Sequence, residues 1–117
     1  MLIKKSDSLE YQSSETYTVW DYPYEAQDSS FAIGELSGRY PEIGFSVNAV
    51  NEECTAMFYI LSGVLTVHID EKIFVATAGD FVRVEKDTPY FLEGENAKFC
   101  IMNTPHFTLD QHKNFSF

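Results

Sequence analysis

Between residues 50 and 90 the chain alternates short β-forming runs with turn chemistry, and this limits the fold class more than any other feature. The run Phe58-Tyr59-Ile60-Leu61 leads through Ser62-Gly63 into Val64-Leu65-Thr66-Val67-His68-Ile69. Further runs at 72–76 and 81–84 are separated by Ala78-Gly79-Asp80. β-Branched and aromatic side chains fit a pleated, half-buried surface, while Gly, Asn and Asp supply the backbone angles of tight turns. Strands broken every ~8–12 residues by such turns predict an all-β sandwich or barrel.

The flanking sequence extends this pattern. Residues 1–15 are polar and Ser-rich and predict an N-terminal arm or edge strand. A first strand is expected at 16–20, broken by Asp21-Tyr22-Pro23-Tyr24. The aromatics Tyr17, Trp20, Tyr22 and Tyr24 read either as an exposed patch that pairs two copies or as caps on one barrel end. A strand at 30–36 should close in the turn Ser37-Gly38-Arg39-Tyr40-Pro41, because proline cannot donate to a central ladder. A third strand is expected at 44–50, with Phe45 and Val47 facing opposite to Ser46 and Asn48. Strands at 52–61, 63–70, 73–76, 81–84, 89–92 and 98–103 follow, with a turn at 93–96. Thr108 stands three residues before Gln111, a capping-box spacing that predicts one or two helical turns in the tail. The domain reading is an arm at 1–15, a barrel at 16–105 and a tail with a short helix at 106–117.

At 117 residues the chain has the length of one domain, and 44% hydrophobic residues suffice for a core. Its 18 acidic and 8 basic residues leave a net charge of −10. Such a surface repels phosphate backbones and anionic lipid, so neither a nucleic-acid nor a membrane partner is expected. Met1-Leu2-Ile3-Lys4-Lys5-Ser6 is not followed by the apolar stretch of a signal peptide, and no run approaches spanning length. Cys54 and Cys100 lack framework spacing and read as reduced thiols of a cytoplasmic protein, with pairing between them left open.

The order of the central elements resembles the cupin superfamily, in its small single-domain form. The resemblance covers residues 44–94 and rests on an aromatic–aliphatic strand ending in Leu61-Ser62-Gly63, a hairpin, Gly79-Asp80 and the step Thr88-Pro89-Tyr90. It implies a double-stranded β-helix (jelly-roll) barrel with a short C-terminal helix, and a homodimer as the common assembly. The family pattern also implies three histidines and a glutamate converging on a divalent metal inside the barrel. Aligned through Gly63 and Gly79, those positions fall on Val50, Glu52, Ala56 and Tyr90; a register one residue earlier puts Ala49 and Asn51 at the histidine positions instead. Neither register supplies the ligand set, so no metal and no cofactor are expected.

Glu52, Cys54, Phe58 and Tyr90 are then the candidate ligand-binding residues for an unidentified small molecule. Mostly apolar walls with a few converging polar groups are the usual make-up of such a site. Plainer roles compete: Cys54 and Phe58 as core, Glu52 as a solvated rim residue, Tyr90 as a partner for a loop. The leading expectation is a metal-independent binding or structural module. The alternative is a cupin enzyme, an isomerase, epimerase or dioxygenase type, with an atypical site of Glu52, Cys54, Tyr90 and His68. A rebuilt metal site would need Glu52, Cys54 and one of His68, His106 and His112. His106 and His112, six apart in the expected tail helix, fall on different faces of it and read as structural.

Overall fold

A computed structural model describes residues 1–42 and 47–116. The described strands, all paired antiparallel, form one sheet that curls on itself. In chain order they are β1 (Leu9–Ser14), β2 (Tyr17–Asp21), β3 (Ser30–Tyr40), β4 (Val47–Asn51), β5 (Thr55–Ile69), β6 (Lys72–Ala76), β7 (Phe81–Val84), β8 (Tyr90–Thr104) and β9 (His112–Ser116). Helical structure among the described residues amounts to single 3-10 turns at Lys5–Asp7 and Leu109–Gln111. No helix among them is long and apolar enough to cross a membrane.

The two fifteen-residue strands β5 and β8 run the length of the barrel. The first half of β5 pairs with β7 and the far half of β8; its second half pairs with β6 and the near half of β8. Ahead of the register shifts in β5 the side chains alternate around the core: Phe58 and Ile60 are buried while Tyr59 and Leu61 are exposed. Leu36, Ile60, Leu65, Val67, Leu92 and Phe99 are at most 1% exposed. Burying each such side chain stabilises the barrel by about 1.5–3 kcal/mol.

Three expected turns are instead bends inside continuous strands. Ser62-Gly63 does not separate two strands; β5 passes through it with register shifts at 60/62 and 62/64. β3 likewise continues past Leu36 with a shift at Gly38, and it ends at Tyr40, ahead of Pro41. The turn expected at 93–96 lies within β8. Glycine supplies the bend without breaking the ladder, which is why these positions carry turn residues. Gly63 has φ +72°, and a Cβ on it would run into the Asn96 carbonyl. A Cβ on Gly94 would meet the Leu36 carbonyl in the same way.

The N-terminal segment takes the edge-strand form of its two expected alternatives, while the C-terminal tail differs from expectation. Residues 9–14 form β1, an edge strand on β2. The tail makes one 3-10 turn and then β9, which pairs with β4 from Val47 to Asn51. No capping box forms, since Thr108 makes no side-chain cap bond. The Gln111 side chain turns inward instead. Of the strand expected at 44–50, residues 47–50 are in β4; 43–46, with Phe45 and Ser46, lie outside the described residues, so the alternation expected there is not described. Tyr17 is core, edge-on to Tyr40 at 5.0 Å. Trp20, Tyr22 and Tyr24 are half-buried, with the Trp20 indole donating to Glu10. Both thiols are free, and Cys100 faces Tyr59 across the β5–β8 ladder.

Candidate functional site

The barrel holds a cavity of ≈150 Å³ beside β1 and the C-terminal turn. Phe58, Leu92 and Ile101 form apolar parts of its wall. Tyr11 and Leu109 also border it and are 50% and 80% exposed, which puts them at the mouth. Most of its polar lining comes in two groups, Tyr40, Asn51, Tyr90 and His112, and then Asp21, Ser30 and Asn103, with Ser13 and Tyr17 also on the wall.

The first group is ordered by a chain of hydrogen bonds whose directions can be deduced. The backbone N–H groups of Glu53 and Cys54 both donate to Gln111 Oε1, at 3.1 Å each. That fixes the amide, so Gln111 Nε2 donates to Asn51 Oδ1 at 3.0 Å. Asn51 Oδ1 is therefore an acceptor, and His112 Nδ1, 2.8 Å from it, must carry its proton. Burial lowers the imidazole below its ordinary pKa and favours the neutral ring. With Nδ1 protonated, Nε2 holds the lone pair and accepts from the Tyr40 hydroxyl at 2.7 Å. The Tyr40 ring also stacks on the imidazole, 13° from parallel.

Burial pushes the phenols the other way. Tyr40 is raised chiefly by desolvation, with bonds from Asn114 and Ser13 lowering it in part. Tyr90, 4% exposed, is raised well above the usual tyrosine range by desolvation and the neighbouring Tyr40. A hydrogen bond from Asn51 offsets part of that rise. Since the Asn51 oxygen is occupied, its amide N–H is the group that donates. At neutral pH this wall presents two protonated phenols and one neutral imidazole. In the second group, burial raises the Asp21 carboxyl and His106 draws it back down.

Of the four residues singled out in the sequence, Phe58 and Tyr90 line the cavity together, with ring centroids 6.4 Å apart. Glu52 and Cys54 are not in its wall. Glu52 is exposed, its backbone N–H bonded to the Gln111 carbonyl. Cys54 is 1% exposed, with its thiol directed at the Pro105 and His106 carbonyls at 3.5 and 3.8 Å. His68 lies on the outer face, bonded to Glu93 and stacked 4.0 Å from Phe91. The alternative constellation of Glu52, Cys54, Tyr90 and His68 is therefore not assembled. In β4 it is Asn51, from the register one residue earlier, that reaches the cavity, while Val50 and Glu52 do not line it.

Tyr40, at the expected turn, and Gln111, at the expected capping box, are not among the candidate site residues of the sequence, and His112 enters there only as a possible metal ligand in a tail helix. His112-Lys113-Asn114-Phe115-Ser116 shows no regular alternation of apolar and polar residues, so no local signal announces β9.

The donor set does not suit a resident divalent metal. Among the described residues no three His, Cys, Asp or Glu side chains gather as a metal-binding group. The imidazole in the wall has both nitrogens engaged, and the family's glutamate position is Ala56, a methyl group.

A family model described as the cupin domain matches residues 44–104. No curated protein matches the sequence. Among solved structures, that of Pac13, a nucleoside dehydratase, superposes with a TM-score of 0.86 at 13% identity, covering 100% of this chain and 92% of that one. Streptomyces Pac13 variants, two with a tyrosine changed to phenylalanine and one with a histidine changed to glutamine, are solved with uridine. KdgF from Halomonas sp. has a TM-score of 0.73 at 9% identity, covering 90% of this chain and 94% of its own. An RmlC-like cupin from Shewanella frigidimarina has 0.69 at 12%, covering 90% and 89%. At these identities the likeness concerns the fold.

Proposed function

The chain belongs to the cupin family, and from that premise we propose a metal-independent member that binds a small polar organic molecule in the barrel and moves protons on it. The observation that carries the proposal is the 2.7 Å bond from the Tyr40 hydroxyl to the neutral His112 imidazole in the cavity wall. A ligand O–H or acidic C–H can lose its proton to the Tyr40 oxygen as Tyr40 passes its own to Nε2. It can equally displace Tyr40 and transfer to Nε2 directly. Asn51 holds the ring so that the lone pair stays on Nε2. Tyr90 keeps its proton to high pH and can donate to an oxygen that gains negative charge. Positioned acid–base groups of this kind contribute roughly 10²–10⁴-fold in rate.

Removing a proton at one atom while protonating an oxygen at another is the requirement of an elimination of water or an isomerisation. The nucleoside dehydratase among the structural neighbours supports that class, and the uridine in its variants supports a nucleoside-like ligand, both by analogy of fold. Titration of the protein, its imidazoles labelled with ¹⁵N, against uridine, other nucleosides and free sugars tests the reading. At least one should move the His112 resonances saturably, and His112→Gln should abolish turnover of that ligand while leaving binding. Ligands that bind without disturbing His112 would place the site elsewhere. Binding that persists with no turnover would reduce the proposal to its binding half.

The homodimer belongs to the same proposal. Residues directly opposite in antiparallel pairs share a face, so Trp20, Ile33, Cys100, Tyr59 and Phe81 follow one another across the outside of the sheet. That uncharged row suits a second copy, and sedimentation equilibrium of Tyr59→Glu against the parent tests it. The free thiols suit a reducing compartment, so a cytoplasmic location is proposed with it.

A further inference from the structure

We infer that the cavity selects an uncharged ligand, a nucleoside or free sugar in preference to its phosphate or uronate, and that Asp21 enforces this choice. The inference rests on the ligand-binding reading above and narrows its substrate class. Asp21 ends β2 on the same inward face as Val19, opposite Ala32 of β3, and its side chain forms part of the cavity wall. Among the described residues that line the cavity it is the one acid, and no Lys or Arg accompanies it.

The remaining polar groups are neutral and two-sided. The hydroxyls of Tyr40, Tyr90 and Ser30 and the amide of Asn103 can donate and accept, while the Asn51 oxygen is taken up by Gln111 and His112. That repertoire matches ribose or sugar hydroxyls and the edge of a nucleobase. It offers nothing to neutralise a phosphate or carboxylate, and an anion taken out of water without a cation or several charge-assisted donors is strongly disfavoured. The 3-10 turn beside the mouth is too short to act as an anion site and carries Asp110. The net charge of −10 adds a repulsive field at longer range. Asp21 itself, half-buried, presents carboxyl oxygens that can accept a hydrogen bond from a ligand hydroxyl.

The test compares uridine with uridine 5′-monophosphate by calorimetry, for the parent and for Asp21→Asn. The parent is expected to bind uridine about 30-fold more tightly than the monophosphate at low salt, and the variant to narrow that ratio to about fivefold or less. Raising the ionic strength should narrow the ratio for the parent as well, a readout that does not depend on the variant folding. If the monophosphate binds as tightly as uridine, charge selection is wrong while ligand binding in the cavity stands. A ratio unchanged both by Asp21→Asn and by salt would assign the exclusion to shape and overturn the role of Asp21. Failure of both compounds to bind the parent would remove the nucleoside reading beneath this inference, and the inference with it.

Discussion

Tyr40 and His112 stand 72 positions apart in the chain, yet the tyrosine hydroxyl lies 2.7 Å from the imidazole Nε2. The direction of that bond is decided at the backbone N–H groups of Glu53 and Cys54, which orient Gln111 and, through it, Asn51 and His112. The tautomer of His112 is thus set by peptide groups outside the cavity wall.

Tyr40→Phe removes the donor and leaves Nε2 buried without a partner. It is expected to cost about 1–3 kcal/mol of stability. Turnover of any confirmed ligand should fall about 10²-fold or more, with a smaller change in affinity. Urea melts and the separation of kcat from KM check both; a variant with parental kcat would remove Tyr40 from the chemistry.

Asn51→Asp keeps the acceptor toward Gln111 and His112 but makes it an anion. A carboxylate beside Nδ1–H favours the imidazolium, so the His112 pKa should move from below its ordinary value to above it. An NMR titration of the ring reads this directly. An unchanged low pKa would mean that Asn51 does not face Nδ1 in solution.

The same shifts give stability a definite pH profile. His112 has a folded pKa below its unfolded value, so the unfolded chain takes the proton first. Its contribution is full above about pH 6.5 and is lost as the pH falls below that. Tyr17, Tyr40 and Tyr90 are raised, so the unfolded chain loses their protons first. Their contribution is full below about pH 10 and is lost above it. Asp21, also raised, acts in the opposite sense to His112 in the carboxylate range, where protonation relieves it. Denaturant midpoints should therefore be highest between about pH 6.5 and 10, and His112→Gln should flatten the acid limb above the carboxylate range. Midpoints still rising above pH 10 would contradict the burial of the three phenols.

Gly63 and Gly79 both have positive φ, yet they should respond differently to alanine. At Gly63 a methyl group meets the Asn96 backbone, whereas at Gly79 nothing lies within 4 Å. Gly79→Ala is expected to cost about 1–2 kcal/mol from backbone strain. Gly63→Ala adds a collision with backbone and should exceed that by about 2 kcal/mol or more. Equal losses at the two sites would refute the tight corner in β5.

The central strands, the family frame and the substitution of its metal-ligand positions are all legible in the residues from 44 to 94. Local propensity and the two-residue period report which faces are buried, and Phe58 and Tyr90 followed from that frame. The glycine corners are visible in the sequence but not their kind, because a turn and a bend within a ladder draw on the same residues. Only the bulge geometry at Gly38 and Gly63 separates them.

The rest of the site was beyond local reading. Gln111 at a capping-box spacing and His112 after it look like the start of a short helix, and nothing nearby contradicts that. The pairing of β9 with β4 does, and it depends on contacts across more than sixty residues. The sequence by itself determined the barrel and the absence of the family's ligand set, since both follow from residue type and short-range period. Only the tertiary structure decided that Tyr40, Asn51, Gln111 and His112 meet, because a hydrogen-bond relay needs distances and directions that closure of the sheet alone supplies.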